Sequence, residues 1–140
     1  AQIKTGELSP YDPLIKKYAN YINWDWRLLA SLIRRESHFN RNAQSSFGAQ
    51  GLMQVLPATA GQFGITPSQL SIPEYNIKAG TRFIQWLEQY WAEKLPPEAD
   101  HDKFILAGYN AGPGHVLDAM RLAEKYNLDP HVWDENVETM

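Results

Sequence analysis

From Leu14 to Ala123 the apolar residues recur at three- and four-residue spacing, and no segment alternates apolar with polar as a half-buried strand would. That pattern restricts the chain to an all-α fold of about six helices with short connections. Ser9-Pro10-Tyr11-Asp12-Pro13 signals the first helix, with Asp12 expected as N-cap and Pro13 at the first helical position. Leu14, Tyr18 and Ile22 give it one apolar face. Asp25 is placed to cap a second helix, whose stripe is Leu28, Leu29, Leu32 and Ile33. A polar loop follows from His38 to Gln50, rich in turn residues. Pro57 opens a short helix that Gly64 stops. A connector over Pro67–Pro73 leads to the longest helix, from Glu74, with Ile77, Phe83, Ile84, Leu87, Tyr90 and Trp91 inward and Gly80 allowing close helix contact. Leu95-Pro96-Pro97-Glu98 ends it. Asp100 or Asp102 caps the next helix, which Asn110-Ala111-Gly112-Pro113-Gly114 interrupts. A final helix carries Val116, Leu117, Met120 and Leu122-Ala123.

At 140 residues the chain reads as one domain or part of a longer protein, with a lead-in over about residues 1–9 and a peripheral tail over 127–140. A hydrophobic content of 44% suffices for a core. The net charge of −3, with basic pairs only at Lys16-Lys17 and Arg34-Arg35, argues against nucleic acid. Without cysteine there is no disulfide, thiolate metal site or Cys nucleophile. No apolar run is long enough to span a bilayer, and the polar opening AQIKTGELSP is not a signal peptide. Five Trp and seven Tyr are too many for the core alone. Such rings either pack helices together or form a groove platform for sugar rings.

Continuing the stripe of Leu29, Leu32 and Ile33 by one turn reaches Glu36. A carboxylate on an apolar face loses hydration, its pKa rises, and it becomes able to act as a general acid near neutrality. The alternative is a helix-terminal Glu turned to solvent or paired with Arg34, Arg35 or Arg41. Tyr109 and Asn110 stand at the double-glycine turn, as a phenol and amide facing a groove or as a core Tyr and a helix stop. Ser45 and Gln54 suit polar ligand groups or ordinary turn chemistry, and Met53 suits core packing. The four His are too dispersed for a metal site, and no phosphate-binding or nucleophile-elbow motif is present.

Taken as an ordered set, Glu36-Ser37, Gly51-Leu52-Met53-Gln54 and Gly108-Tyr109-Asn110-Ala111-Gly112 resemble the catalytic domain of the lytic murein transglycosylases, the soluble-lytic-transglycosylase or goose-lysozyme-like group. The resemblance covers about residues 10 to 120. Gly112-Pro113-Gly114-His115-Val116-Leu117-Asp118-Ala119 and Leu14-Ile15-Lys16-Lys17-Tyr18-Ala19 are most similar to the membrane-bound F type. It implies a lysozyme-like helical fold with a substrate groove, and cleavage of peptidoglycan glycan strands between N-acetylmuramic acid and N-acetylglucosamine, leaving 1,6-anhydro ends. It implies neither metal nor cofactor. Glu36 matches the family's catalytic glutamate, Ser45 a serine near the reacting sugar, Met53 and Gln54 groove-lining positions, and Tyr109 and Asn110 the wall near the acid.

Two departures accompany it. Gly108 stands where many relatives have Ala, and Glu138-Thr139-Met140 stops short of a final Glu-Thr-x-x-Tyr-Val helix. The resemblance therefore implies truncation at the C-terminus, and a solute-binding-like N-terminal domain in the full-length protein. It also implies a periplasmic location, with outer-membrane anchoring among the expectations. Hydrolysis of the lysozyme type and glycan binding without turnover are the competing readings.

Overall fold

A computed structural model describes residues 7–140; part of the expected lead-in, residues 1–6, lies outside them. Among the described residues the regular structure is helical, with isolated antiparallel bridges at Gln44–Gln50 and Gln50–Val55. The helices are α1 (Asp12–Tyr21), α2 (Trp26–Ser37), α3 (Pro57–Gln62), α4 (Pro73–Lys94), α5 (His101–Ala111) and α6 (Pro113–Lys125), with 3₁₀ turns at Pro67–Ser71 and Val137–Thr139. The chain divides into two compact units, one ending at Phe83 and one starting at Ile84, with α4 running through the division.

In the first unit α1 packs on α2. Tyr18 and Ile22 are buried as expected, and Ile15 and Ala19 join them, while Leu14 stays only half-buried. Asp12 does not cap α1. Tyr11 holds the N-cap position, and the Asp12 carboxylate reaches back to accept from the Leu8 and Ser9 amides (2.8 and 2.9 Å) and the Ser9 hydroxyl (3.0 Å). A carboxylate in the first turn still suits the helix dipole, and here it fastens the entering chain. Asp25 does cap α2, accepting from the Arg27 amide at 2.8 Å. Leu28 is exposed, and the inward stripe is Leu29, Leu32 and Ile33 with Ala30. Leu52, Met53, Leu70 and Ile77 complete the core of this unit. Gly80 serves a different neighbour from the expected helix. A Cβ there would lie 2.4 Å from the Met53 sulfur, so the glycine makes room for the thioether.

In the second unit Ile84, Leu87 and Trp91 of α4 are buried, with Phe104 and Ile105 of α5 and Val116, Met120 and Ala123 of α6. Trp91 lies 5.4 Å from Phe104, and Phe104 lies 5.5 Å from Trp133, centroid to centroid. Val137 is buried, and Asp134 pairs with Lys103, so residues near the C-terminus share this core and its rim. Asp100 rather than Asp102 caps α5, accepting from the Lys103 amide. Asn110 lies inside α5; the helix ends at Gly112, whose φ of 88° a side chain would strain, and Pro113 starts α6.

Candidate active site

Glu36 occupies the last turn of α2, in line with its buried stripe, and is half-buried. Desolvation pushes its carboxyl above the usual range, and the Arg35 guanidinium pulls it partly back. Among the described residues no ion pair holds it. Arg41 is directed elsewhere, its Nε donating to the Ser71 carbonyl at 3.3 Å.

The next residue fixes the helix end. The buried Ser37 hydroxyl lies 2.8 Å from the Leu52 carbonyl and 3.1 Å from that of Ile33, joining the turn that carries Glu36 to the Gly51–Gln54 segment. His38 and Phe39 then take left-handed φ values of 52° and 62°, reversing the chain at a cost of about 1–2 kcal/mol per residue. Consecutive non-glycine residues in this region are uncommon, and such strain clusters at functional sites.

Gly51–Gln54 is held from beneath by Asn76, which sequence reasoning missed. Its wholly buried side chain accepts from the Met53 amide at 2.8 Å and donates to the Gln50 and Leu70 carbonyls, both at 2.8 Å. A Cβ on Gly51 would fall 2.1 Å from the Asn76 amide nitrogen and 2.5 Å from the Leu70 oxygen, at a φ of 79°. An Asn near the start of a helix gives no signal in sequence, because polar residues there ordinarily face water.

Met53 is fully buried, while Gln54 is half-buried with φ at 50°. The Gln54 amide nitrogen donates to the Ala43 and Gly51 carbonyls at 3.1 and 2.9 Å, which leaves its oxygen as the group to offer a ligand. Ser45 closes the turn above. Its hydroxyl accepts from the Phe47 and Ala49 amides at 3.3 and 3.0 Å, leaving its proton as the group to offer. Glu36, Ser45, Met53 and Gln54 thus share one hydrogen-bonded scaffold in the first unit. Tyr109 (half-buried) and Asn110 (exposed) lie on the last turn of α5 in the second unit.

Sequence reasoning also passed over Glu88 of α4. Burial and the nearby Asp102 push its carboxyl upward, and its Oε1, like the Trp91 indole nitrogen, is buried without a hydrogen-bond partner. Among the described residues no three His, Asp or Glu side chains group as metal ligands would, and no helix is long and apolar enough to cross a membrane.

The family pattern described as the transglycosylase SLT domain matches residues 13–131. Membrane-bound lytic murein transglycosylase F of Mannheimia succiniciproducens is 40% identical over 126 residues, which is 90% of this chain and 25% of that protein. The protein of the same name from Shewanella pealeana is 41% identical over 131 residues, 91% of this chain and 26% of its own. The chain thus spans about a quarter of the length of these curated relatives. The 70 kDa soluble lytic transglycosylase of Escherichia coli superposes with a TM-score of 0.62 at 33% identity, covering 75% of this chain and 17% of that one. The lytic transglycosylase Slt of Pseudomonas aeruginosa, solved as an inactive glutamate-to-glutamine mutant, gives 0.67 at 27% identity, over 79% and 18%. The fold is the lysozyme-like helical fold that the motif resemblance implies, and the chain belongs to the transglycosylase SLT domain family of lytic transglycosylases.

Proposed function

We propose that this chain is a peptidoglycan lytic transglycosylase that cleaves the β-1,4 bond between N-acetylmuramic acid and N-acetylglucosamine, with Glu36 as acid and then base. The observation that carries this reading is the environment of Glu36: half-buried on an apolar stripe, raised in pKa by desolvation, and without an ion pair among the described residues. Such a group holds its proton to higher pH than an exposed carboxyl does, and can give it up to a substrate.

Protonated Glu36 donates to the glycosidic oxygen. The bond from that oxygen to the muramic C1 breaks, its electron pair stays with the oxygen, and the departing N-acetylglucosamine gains a hydroxyl. Positive charge develops at C1, where the substrate's own acetamido group can share it. The Glu36 carboxylate then takes the proton of the muramic 6-hydroxyl as O6 bonds to C1, closing the 1,6-anhydro ring. No water is consumed, and Glu36 ends protonated as it began. Glycosidases of the paired type need a second carboxylate. Among the described residues, Asp25 is occupied as a helix cap and Glu74 is bound to Lys17 and Tyr18.

In this reading the Ser45 hydroxyl donates to the substrate, the Gln54 oxygen accepts from it, and Met53 supports them from the buried side. Tyr109 and Asn110 are assigned as substrate contacts on the resemblance alone. The family match extends through both units, which supports treating them as one catalytic domain. The relatives' membrane-bound names favour work at the cell envelope, in the periplasm, within a longer protein. Mass spectrometry of digested peptidoglycan tests the chemistry. Anhydromuropeptides are expected from the unsubstituted protein and none from Glu36→Gln. Reducing-end products alone would replace the reading with a hydrolytic lysozyme, and glycan binding without products would leave a binding module.

A further inference from the structure

Phe47 is 91% exposed, more than any other large apolar side chain among the described residues. Tyr21 and Tyr126, at 65% and 63%, carry a hydroxyl to the water; Phe47 carries nothing polar. An apolar ring of this size normally gains about 1.5–3 kcal/mol by burial. Here the backbone is organised to keep it out. The Ser45 hydroxyl accepts from the Phe47 amide, the Ser45 amide donates to the Ala49 carbonyl at 2.9 Å, and the Gly48 amide donates to the Ser45 carbonyl at 3.1 Å. The base of this turn is fastened to the Glu36 scaffold by the Gly51 amide on the Ala43 carbonyl at 2.8 Å and by Gln54 on the same oxygen. The ring is therefore presented by a built turn, two residues from Ser45.

Its surroundings define what it suits. Asn40, Arg41, Asn42, Gln44 and Ser46 are all exposed, and no acidic residue occurs between Glu36 and Glu74. One ring among amides, hydroxyls and a guanidinium is not a protein-docking surface, which needs a contiguous apolar patch of a few hundred Å². An aromatic face beside hydrogen-bonding groups matches a pyranose, with its apolar C–H face and polar rim. A lack of carboxylates suits a glycan that carries carboxylates of its own.

We propose that Phe47 is a substrate-binding residue, its ring stacking on a sugar of the glycan strand and holding the strand across the Ser45 turn. This rests on the glycan-cleaving function proposed above. The test compares the unsubstituted protein with Phe47→Ala, Phe47→Trp and Glu36→Gln. Steady-state kinetics use soluble peptidoglycan strands, and calorimetry measures binding of N-acetylglucosamine oligomers. Phe47→Ala is expected to raise KM about tenfold with kcat within about twofold, and to weaken oligomer binding in parallel. Phe47→Trp is expected to restore both to within about threefold, since a larger ring still stacks. The thermal midpoint of Phe47→Ala should stay within about 2 °C, because the ring has almost no packing to lose. Unchanged KM and oligomer affinity in Phe47→Ala, in a preparation whose parent cleaves glycans and whose Glu36→Gln form does not, would overturn the stacking role alone. A large fall in thermal midpoint would overturn it in favour of a structural role. A parent that neither cleaves nor binds glycans would remove the function itself, and the stacking role with it.

Discussion

Glu36 is set apart from Asp12, Asp25 and Glu74 by what surrounds its carboxylate. Those three accept hydrogen bonds from amides, a lysine or hydroxyls, whereas Glu36 has lost water without gaining an ion pair among the described residues. For the proposed chemistry, Glu36→Gln keeps the shape and removes the transferable proton. Turnover is expected to fall by about 10²–10⁴-fold, read from the release of soluble muropeptides, with the fold retained by circular dichroism. The glutamate-to-glutamine change in the solved Pseudomonas aeruginosa relative is described as inactivating, which is the same kind of change. Helical spacing alone placed Glu36 in line with Leu29, Leu32 and Ile33. It left open whether an arginine neutralises the carboxylate, because the directions of Arg34, Arg35 and Arg41 depend on the surfaces they meet.

At the scale of elements, the connection between α2 and α3 is held by few groups, and each is costly to lose. Gly51→Ala drives a methyl into the Leu70 carbonyl and the Asn76 amide at a left-handed φ, and is expected to destabilise the protein by about 2–4 kcal/mol in urea unfolding. Asn76→Ala removes the buried side chain that accepts from the Met53 amide and donates to the Leu70 carbonyl, with an expected cost of about 2–4 kcal/mol and reduced turnover, because Gln54 follows Met53. The turn chemistry of Ser45 and the glycines of this loop were legible in sequence, since their preferences are local. Asn76 was not, because its partners lie six to twenty-six residues away.

For the molecule as a whole, two carboxyls titrate against folding. Glu36 and Glu88 both have folded pKa values raised above the ordinary 4.5 by burial, Glu88 further by Asp102. Between 4.5 and those higher values the native state binds more protons than the unfolded state, so stability falls as pH rises through that window and is greatest below it. Glu74, lowered by Lys17 and Tyr18, acts oppositely: its contribution is present above 4.5 and lost as pH falls through its lower folded value, and it is small because the pair is exposed. Unfolding midpoints in urea are therefore expected to drop as pH is raised above 4.5 through that window, and to flatten in Glu36→Gln combined with Glu88→Gln. Retention of the full slope in that double variant would place the effect on other groups.

The sequence by itself determined the helix count, most helix boundaries, the position of Glu36 on a buried face, and the family, through the ordered set Glu36-Ser37, Gly51-Leu52-Met53-Gln54 and Gly108-Tyr109-Asn110-Ala111-Gly112. These follow from periodicity, capping and short motifs, all of which act within a few residues. Tertiary structure decided that Asp12 reaches back to Ser9, that Gly80 receives the Met53 thioether, that Asn76 carries the Gly51–Gln54 segment, that Glu88 is buried and that Phe47 is not. Each depends on which distant residues occupy the neighbouring space, and desolvation, packing and buried hydrogen bonding are set only when that space is filled.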